Sequence, residues 1–188
     1  MVGLRAVIFG RQGAGKGTQS VRLAEQYGVP HISTGDMLRA AVEEETEFGR
    51  KADGFMSAGN LVPDEVMVGV VRERLAKPDA SEHGFLLDGF PRTQGLAEEL
   101  LGITGSSGID AAINLDVPLD VVTDRMKQRG RADDTEDAIA RRLELYERET
   151  APVLAWFDDK GLLVTVDGVG TEEEVFGRLQ KALEKLKF

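Results

Sequence analysis

The sequence Gly10-Arg11-Gln12-Gly13-Ala14-Gly15-Lys16-Gly17-Thr18-Gln19 follows the short apolar run Ala6-Val7-Ile8-Phe9. The segment after it has apolar residues at helical spacing, namely Val21, Leu23, Ala24 and Tyr27. The order is strand, glycine-rich loop and helix, and Gly10-x4-Gly15-Lys16 has the spacing of a phosphate-binding loop. Glycines let successive N–H groups point at one phosphate chain, and the following helix adds its positive N-terminal end. Lys16 adds a charge for the outer phosphates.

The immediate surroundings of the lysine carry one unusual feature. The Ser or Thr that commonly follows the lysine is replaced by Gly17, and a hydroxyl comes one residue later at Thr18. The alternative interpretation of the stretch is a glycine-rich turn with a surface lysine. The strand and helix on either side favour the phosphate-binding loop instead.

Composition limits the classes of function. The chain of 188 residues fits one domain with small insertions, and because it has no cysteine it can hold neither disulfides nor thiolate zinc sites. A net charge of -10 argues against general binding of nucleic acid or of anionic membranes. The chain lacks an apolar run of membrane-spanning length and a signal-peptide core, so we expect a cytoplasmic protein.

Apolar runs with strand character alternate with helical patterns along the chain. The runs lie at residues 4–9, 85–87, 111–115 and 162–166, with a weaker one at 30–33. This alternation predicts an α/β fold, a three-layer α/β/α sandwich around a parallel sheet. Since ligands bind at the carboxyl ends of such strands, the Gly10 loop, Thr34-Gly35-Asp36 and Asp88-Gly89-Phe90-Pro91-Arg92 should surround one crevice.

Two segments fit less well into a sandwich. Residues 34–62 separate two predicted strands by more than one helix needs and are rich in charge, which indicates a small helical flap. The polar segment Arg129-Gly130-Arg131-Ala132-Asp133-Asp134-Thr135 is turn-like and lies between two predicted helices. Thr135 has the residue type that caps the second of these helices.

Charged residues near the predicted crevice carry the chemistry. Asp88 ends an apolar strand, where a carboxylate can position Mg²⁺ directly or through water, although Asp-Gly is also a common turn. Arg39 and Arg92, taken singly, could be surface arginines. Four further arginines bracket the polar turn and suit either an exposed face that pairs with Asp133 and Asp134 or a lid over a polyphosphate. They are Arg125, Arg129, Arg131 and Arg142.

As a set, the motifs resemble the adenylate kinase family over nearly the whole chain. The motifs that carry the resemblance are Gly13-Ala14-Gly15-Lys16-Gly17-Thr18-Gln19, Ile32-Ser33-Thr34-Gly35-Asp36-Met37-Leu38-Arg39, Gly59-Asn60-Leu61-Val62-Pro63-Asp64, Leu87-Asp88-Gly89-Phe90-Pro91-Arg92-Thr93, the polar segment 129–135, and Arg142-Leu143-x2-Tyr146. Lys-Gly-Thr in the loop is typical of the family. The resemblance implies a P-loop kinase fold with a core (1–32, 63–128 and 136–188), a monophosphate-binding flap (33–62) and a short lid (129–135) without structural zinc.

The resemblance also implies an activity and its site. It implies Mg²⁺-dependent phosphoryl transfer from ATP to AMP, in adenine nucleotide homeostasis, by a monomer whose partners are ATP, AMP and ADP. The catalytic residues implied are Lys16, Arg39, Arg92, Arg129, Arg131 and Arg142. The ATP-binding residues implied are Gly13, Ala14, Gly15, Lys16, Gly17, Thr18, Arg125, Arg129 and Gly170. The AMP-binding residues implied are Thr34, Arg39, Asn60, Leu61, Val62, Gly89, Phe90, Pro91, Arg92, Arg131 and Arg142.

The chain departs from the family pattern at two positions. Gln12 stands where the family usually has proline, which is expected to change the stiffness of the loop. Leu96 stands where the family normally has a glutamine that reads the adenine of AMP, and Gln94, two residues earlier, should face another side of its helix. A UMP/CMP kinase of the same fold is therefore the nearest alternative. A non-catalytic nucleotide-binding switch is disfavoured because no guanine-specific Asn-Lys-x-Asp motif occurs.

Overall fold

The computed structural model describes residues 3–131 and 134–186. It contains a sheet of five parallel strands in the order β2-β3-β1-β4-β5. The strands are β1 (Arg5–Phe9), β2 (His31–Ser33), β3 (Phe85–Asp88), β4 (Ala111–Asp116) and β5 (Leu163–Asp167). All five lie where the sequence predicts strands, including the weak β2.

Ten α-helices connect or follow these strands in the described part of the chain. They are α1 (Lys16–Tyr27), α2 (Thr34–Glu43), α3 (Glu47–Ser57), α4 (Asp64–Leu75), α5 (Pro78–Ser81), α6 (Gln94–Thr104), α7 (Leu119–Arg129), α8 (Glu136–Leu145), α9 (Ala151–Asp159) and α10 (Glu172–Leu183). A short 3₁₀ turn (Gly105–Ser107) follows α6, and a π-helical segment (Tyr146–Thr150) joins α8 to α9. None of the helices in the described ranges has the length and apolar character needed to cross a membrane.

Alternation along the strands divides the core into two layers. In β1, Val7 and Phe9 belong to one buried cluster, and Ala6 and Ile8 belong to the other. This is the two-residue period of a strand that is buried on both faces. Residues of α4, α6 and α9 complete the first cluster, and residues of α1 and α10 complete the second. The predicted three-layer α/β/α sandwich is therefore confirmed.

Local capping fixes the ends of several helices. The Thr135 hydroxyl accepts a hydrogen bond from the Ala138 N–H at 3.2 Å, so the predicted cap of α8 is confirmed. Thr171 and Glu174 form a capping box at the start of α10. Within α1, Leu23 is buried as the helical pattern predicts, but Val21 is 50% exposed and lines a cavity instead of the core.

Residues 34–62 form two packed helices, α2 and α3, followed by an extended connection. The segment is helical, as its length and charge predict. The predicted lid at 129–135 is described at Arg129 to Arg131 and at Asp134 and Thr135, whereas residues 132 and 133 lie outside the described residues.

The sheet order determines where a ligand can bind. β2 and β3 lie on one side of β1, whereas β4 and β5 lie on the other. A crevice forms at such a switch point, outside the carboxyl end of the central strand. The loop after β1 and the residues that follow β2 and β3 meet there, as the sequence predicts.

Candidate active site

The loop between β1 and α1 is folded as a tight turn. The Ala14 N–H donates to the Arg11 carbonyl at 3.0 Å, and Gly13 has a φ of 87°. A positive φ at this position is typical of a type II turn and favours glycine. A Cβ on Gly13 would also lie 2.7 Å from the Val122 carbonyl oxygen, so the loop packs directly on α7.

Lys16 lies at the first position of α1 and turns back over this loop. Its ammonium group donates to the Gly10 carbonyl at 2.9 Å and to the Arg11 carbonyl at 3.3 Å. Burial lowers the pKa of Lys16, Asp88 opposes this effect, and neighbouring arginines lower the pKa further. The lysine therefore lies in a strongly cationic environment that an anion would relieve.

A large cavity opens above the loop, and most of the charged side chains that line it are cationic. Two carboxylates, Asp36 and Asp88, face seven cationic side chains among its described lining residues. The cationic residues are Lys16, Arg39, Arg92, Arg125, Arg129, Arg131 and Arg142. The pKa of Arg92 is lowered by burial and then by the positive charges of Arg142 and Arg39, against the opposing effect of Asp88. A polyanion such as a nucleoside triphosphate has the charge that this cavity lacks.

Asp88 closes β3 at the floor of the large cavity. Its carboxylate is largely buried and lies 3.8 Å from His31 Nε2. Among the described residues, no group of three or more His, Cys, Asp or Glu side chains is arranged to hold a metal ion. Nucleotide-bound Mg²⁺ usually takes one or two carboxylates together with substrate phosphates and water. One carboxylate beside the phosphate loop, with the Thr18 hydroxyl on the same cavity wall, fits that type of site.

A smaller, mostly apolar cavity joins the large one beneath the flap. It is lined by residues of α2, of the connection after α3, of α4, of the turn after β3 and of α6, including Thr34, Leu38, Asn60, Leu61, Val62, Met67, Gly89 and Leu96. The Thr34 hydroxyl donates to the Asp88 carbonyl at 3.2 Å. Gly89 has a φ of 86°, and a Cβ there would lie 2.6 Å from the Thr34 hydroxyl oxygen. The turn therefore lies so close to α2 that only glycine, which has no Cβ, fits at this position.

The helix after Arg92, α6, contributes Leu96 to the wall of this smaller cavity. Leu96 is buried in the cavity wall. Gln94 is exposed, and its amide donates to the Glu98 carboxylate at 3.0 Å. The prediction that these two residues face different sides of α6 is confirmed. At residue 96 the wall of the smaller cavity is therefore a leucine side chain and not a hydrogen-bonding amide.

One aspartate joins the two helices that flank the lid. Asp134, whose side chain is 1% exposed, accepts hydrogen bonds from Arg129 at 2.8 and 2.9 Å and from Arg142 at 2.9 Å. Arg142 also donates to the Met56 carbonyl at 3.1 Å, and Arg141 donates to the Asn60 amide oxygen at 3.1 Å. The second half of α8, which carries Arg141 and Arg142, is thereby tied to Asp134 and to the segment 34–62. The predicted pairing with Asp134 is confirmed for Arg129 and Arg142, but the pair is buried and not an exposed face, and both arginines also line the large cavity.

The structure brings nearly all of the predicted site residues to these two cavities. The predicted residues in the large cavity are Gly13, Gly15, Lys16, Gly17, Thr18, Arg39, Leu61, Asp88, Gly89, Phe90, Pro91, Arg92, Arg125, Arg129, Arg131 and Arg142, and the smaller cavity adds Thr34, Asn60 and Val62. Ala14 is buried beneath the loop and Gly170 lies between β5 and α10; neither belongs to the described cavity lining.

Sequence reasoning missed some of the residues that shape the site. The Thr150 hydroxyl donates to the Arg92 carbonyl at 2.9 Å and so holds the backbone of that arginine. Leu38, Met56 and Met67 supply apolar surface in the smaller cavity. The helical spacing of these apolar residues could equally have indicated core, and nothing in the sequence relates Thr150 to Arg92.

Comparison with known proteins agrees with this site. The sequence profile of the adenylate kinase family matches residues 8–162. The chain is 50% identical over 182 residues to an adenylate kinase of Nocardia farcinica, covering 96% of this chain and 99% of the relative. It is 46% identical over 187 residues to an adenylate kinase of Kocuria rhizophila, covering 96% and 99%. It is 46% identical over 184 residues to one of Mycobacterium tuberculosis, covering 97% and 100%. The chain therefore belongs to the adenylate kinase family.

Proposed function

We propose that the chain catalyses the reversible transfer of the terminal phosphoryl group of ATP to AMP, which gives two ADP. The observation that carries the proposal is the union of two cavities, one cationic and above a phosphate-binding loop, the other mostly apolar and beneath the flap. Membership of the adenylate kinase family makes the chain an ATP:AMP phosphotransferase.

The two nucleotides have separate places in this proposal. The donor phosphates lie on the loop between Gly13 and Thr18, and Arg125 covers the donor base together with the backbone near Gly170. The acceptor nucleoside lies in the smaller cavity against Thr34 and the 60–62 backbone. The side chains of Arg39, Arg92 and Arg142 line both cavities, so they are placed to hold the acceptor phosphate where the cavities join.

Asp88 is the proposed ligand of Mg²⁺, through water, at the edge of the donor phosphates. The ion supplies neutralisation of charge on the β- and γ-phosphates when it is bound. Asp88 is the last residue of the buried strand β3, and its carboxylate lies 3.8 Å from His31 Nε2, which is too far for a hydrogen bond. The strand therefore places the carboxylate at the cavity before any ligand arrives.

The chemistry requires positioning more than covalent help. An oxygen of the acceptor phosphate attacks the γ-phosphorus in line, and the bond to the bridging oxygen of ADP breaks. No general base is needed, because the acceptor phosphate is already deprotonated near neutral pH. Lys16 and the arginines stabilise charge on the transferred group, and closure of flap and lid over it would exclude water.

The products test the proposal. The protein is incubated with Mg²⁺, ATP and AMP, and nucleotides are separated and quantified over time. We expect two ADP for each AMP consumed, and ATP plus AMP from ADP alone at the same end-point ratio. ADP that accumulates with inorganic phosphate, independently of AMP, would contradict the proposal and indicate hydrolysis.

A further inference from the structure

Gln12 lies at the junction of the two cavities. It lines the small cavity and the large one, a position it shares with Arg39, Arg92 and Arg142. An acceptor whose nucleoside lies in the small cavity must pass its phosphate through this junction into the large cavity. Gln12 is thus a neutral polar side chain that shares the junction with three arginines, and also with the apolar Leu61 and Phe90.

The turn holds Gln12 from both sides. The Arg11 side chain donates to Glu147 at 2.6 Å and to the Val117 carbonyl at 3.0 Å, so it is anchored away from the cavities. Gly13 packs on Val122. Gln12 itself occupies the second position of the turn, where proline is also favoured, and its side chain projects from the corner of the turn.

The Gln12 amide has no hydrogen-bond partner among residues 3–131 and 134–186. An amide offers two N–H donors and one oxygen acceptor. Phosphate oxygens only accept, and guanidinium groups only donate. A side-chain amide between them can therefore donate to a phosphate oxygen while its own oxygen accepts from an arginine.

We propose that the Gln12 side chain binds the phosphate group of the monophosphate acceptor, donating an N–H to one of its oxygens, and so helps to position the acceptor. This inference rests on the proposed function, because it takes the acceptor to be a nucleoside monophosphate in the smaller cavity. It gives Gln12 a direct contact with substrate in addition to its place in the turn.

The test compares three substitutions of Gln12. Gln12→Met keeps the length of the side chain but removes the amide, Gln12→Pro suits the turn without an amide, and Gln12→Glu brings a carboxylate toward the phosphate. We expect Gln12→Met and Gln12→Pro to raise the KM for AMP about tenfold while the KM for ATP stays within about twofold. Gln12→Glu should raise the KM for AMP further, because two anions repel each other.

A binding measurement separates the phosphate from the base. Titration with AMP should show the same loss of affinity in Gln12→Met, whereas titration with adenosine, which lacks the phosphate, should show none. Gln26→Met, at an exposed glutamine on α1 away from both cavities, is the matched control and should bind AMP as the parent does.

Other outcomes would overturn the inference without touching the proposed function. If the parent makes ADP from AMP and Gln12→Met binds AMP with unchanged affinity, the Gln12 amide does not contact the acceptor phosphate. Weaker binding of adenosine to Gln12→Met than to the parent would mean that the amide contacts the nucleoside and not the phosphate. Recovery in Gln12→Pro of what Gln12→Met loses would assign the effect to the turn. A parent that does not phosphorylate AMP would instead contradict the proposed function.

Discussion

Lys16 is held in place by the same loop that it serves. Its two hydrogen bonds to loop carbonyls keep the ammonium group over the turn, where we propose that the donor phosphates bind. The sequence spacing predicts this residue because its role depends on a local motif. The residues of this motif are neighbours in the sequence as well as in space, so the motif can be identified without knowledge of the tertiary structure.

Replacement of this lysine tests the site at its most local level. Lys16→Met should lower kcat/KM by roughly two to four decades, if the charge contributes about 3–5 kcal/mol to the transition state. Steady-state kinetics would measure the loss, and circular dichroism would establish that the variant is folded. Near-parental activity in the folded variant would remove Lys16 from the phosphoryl-transfer step.

Leu96 presents an apolar side chain to the smaller cavity, where we propose that the acceptor base lies. Leu96→Gln restores an amide to the wall of the smaller cavity, and a neutral hydrogen bond contributes about 0.5–1.5 kcal/mol net. We expect the ratio of kcat/KM for AMP over CMP to rise by up to roughly tenfold. Kinetics with both acceptors would measure the ratio in the variant and in the parent.

Gln94 supplies the control for that prediction. Its amide is exposed and bonded to Glu98, so Gln94→Ala should leave the use of AMP unchanged. Impaired AMP use in Gln94→Ala, together with no change in Leu96→Gln, would mean that Gln94 reads the base. The placement of α6 against the acceptor would then be wrong.

Two elements, α7 and α8, are linked by the buried carboxylate of Asp134, which accepts hydrogen bonds from Arg129 and Arg142. Burial alone would raise the pKa of Asp134, but the hydrogen bond and charge of Arg129 and the charge of Arg142 leave it lowered. The sequence showed acids and arginines near each other but not which pairs form. Strands were easier to predict because parallel strands buried on both faces are apolar almost throughout.

Asp134→Asn should reduce the free energy of unfolding at pH 7 by about 1–3 kcal/mol, because an ionic hydrogen-bond network loses its charge. A carboxylate with a lowered pKa stabilises the fold above its unfolded pKa, about 3.9, and this contribution is lost as the pH falls through the folded pKa. The difference in the free energy of unfolding between the parent and Asp134→Asn should therefore become smaller as the pH falls below the unfolded pKa. Urea titrations across pH would measure it.

An exposed ion pair gives the matched control for the lid. Glu173 pairs with Arg22 at 2.8 Å, but its side chain is 81% exposed. Glu173→Gln should change the free energy of unfolding by less than about 1 kcal/mol. The role given to Asp134 would be contradicted if both substitutions changed the free energy of unfolding equally. It would also be contradicted if the loss of stability in Asp134→Asn became larger in acid.

The whole molecule combines an acidic exterior with a cationic interior cavity. The chain carries a net charge of -10, yet seven cations line the large cavity. Composition alone predicts only that general binding of polyanions is disfavoured. The fold brings the arginines together from four separate stretches of sequence, at residues 39, 92, 125–131 and 142. This convergence depends on the sheet order, which no local pattern contains. The resemblance to a family predicted it where residue spacing could not.

The proposed transfer to AMP is tested most directly by an acceptor screen. The protein is supplied with Mg²⁺ and ATP and, in separate reactions, with AMP, CMP, UMP or GMP, and formation of the corresponding diphosphate is followed to obtain kcat/KM for each. We expect AMP to be the best acceptor, with a preference over CMP that is smaller than it would be with an amide at residue 96. Faster phosphorylation of CMP or UMP than of AMP would contradict it, because the smaller cavity would then select a pyrimidine.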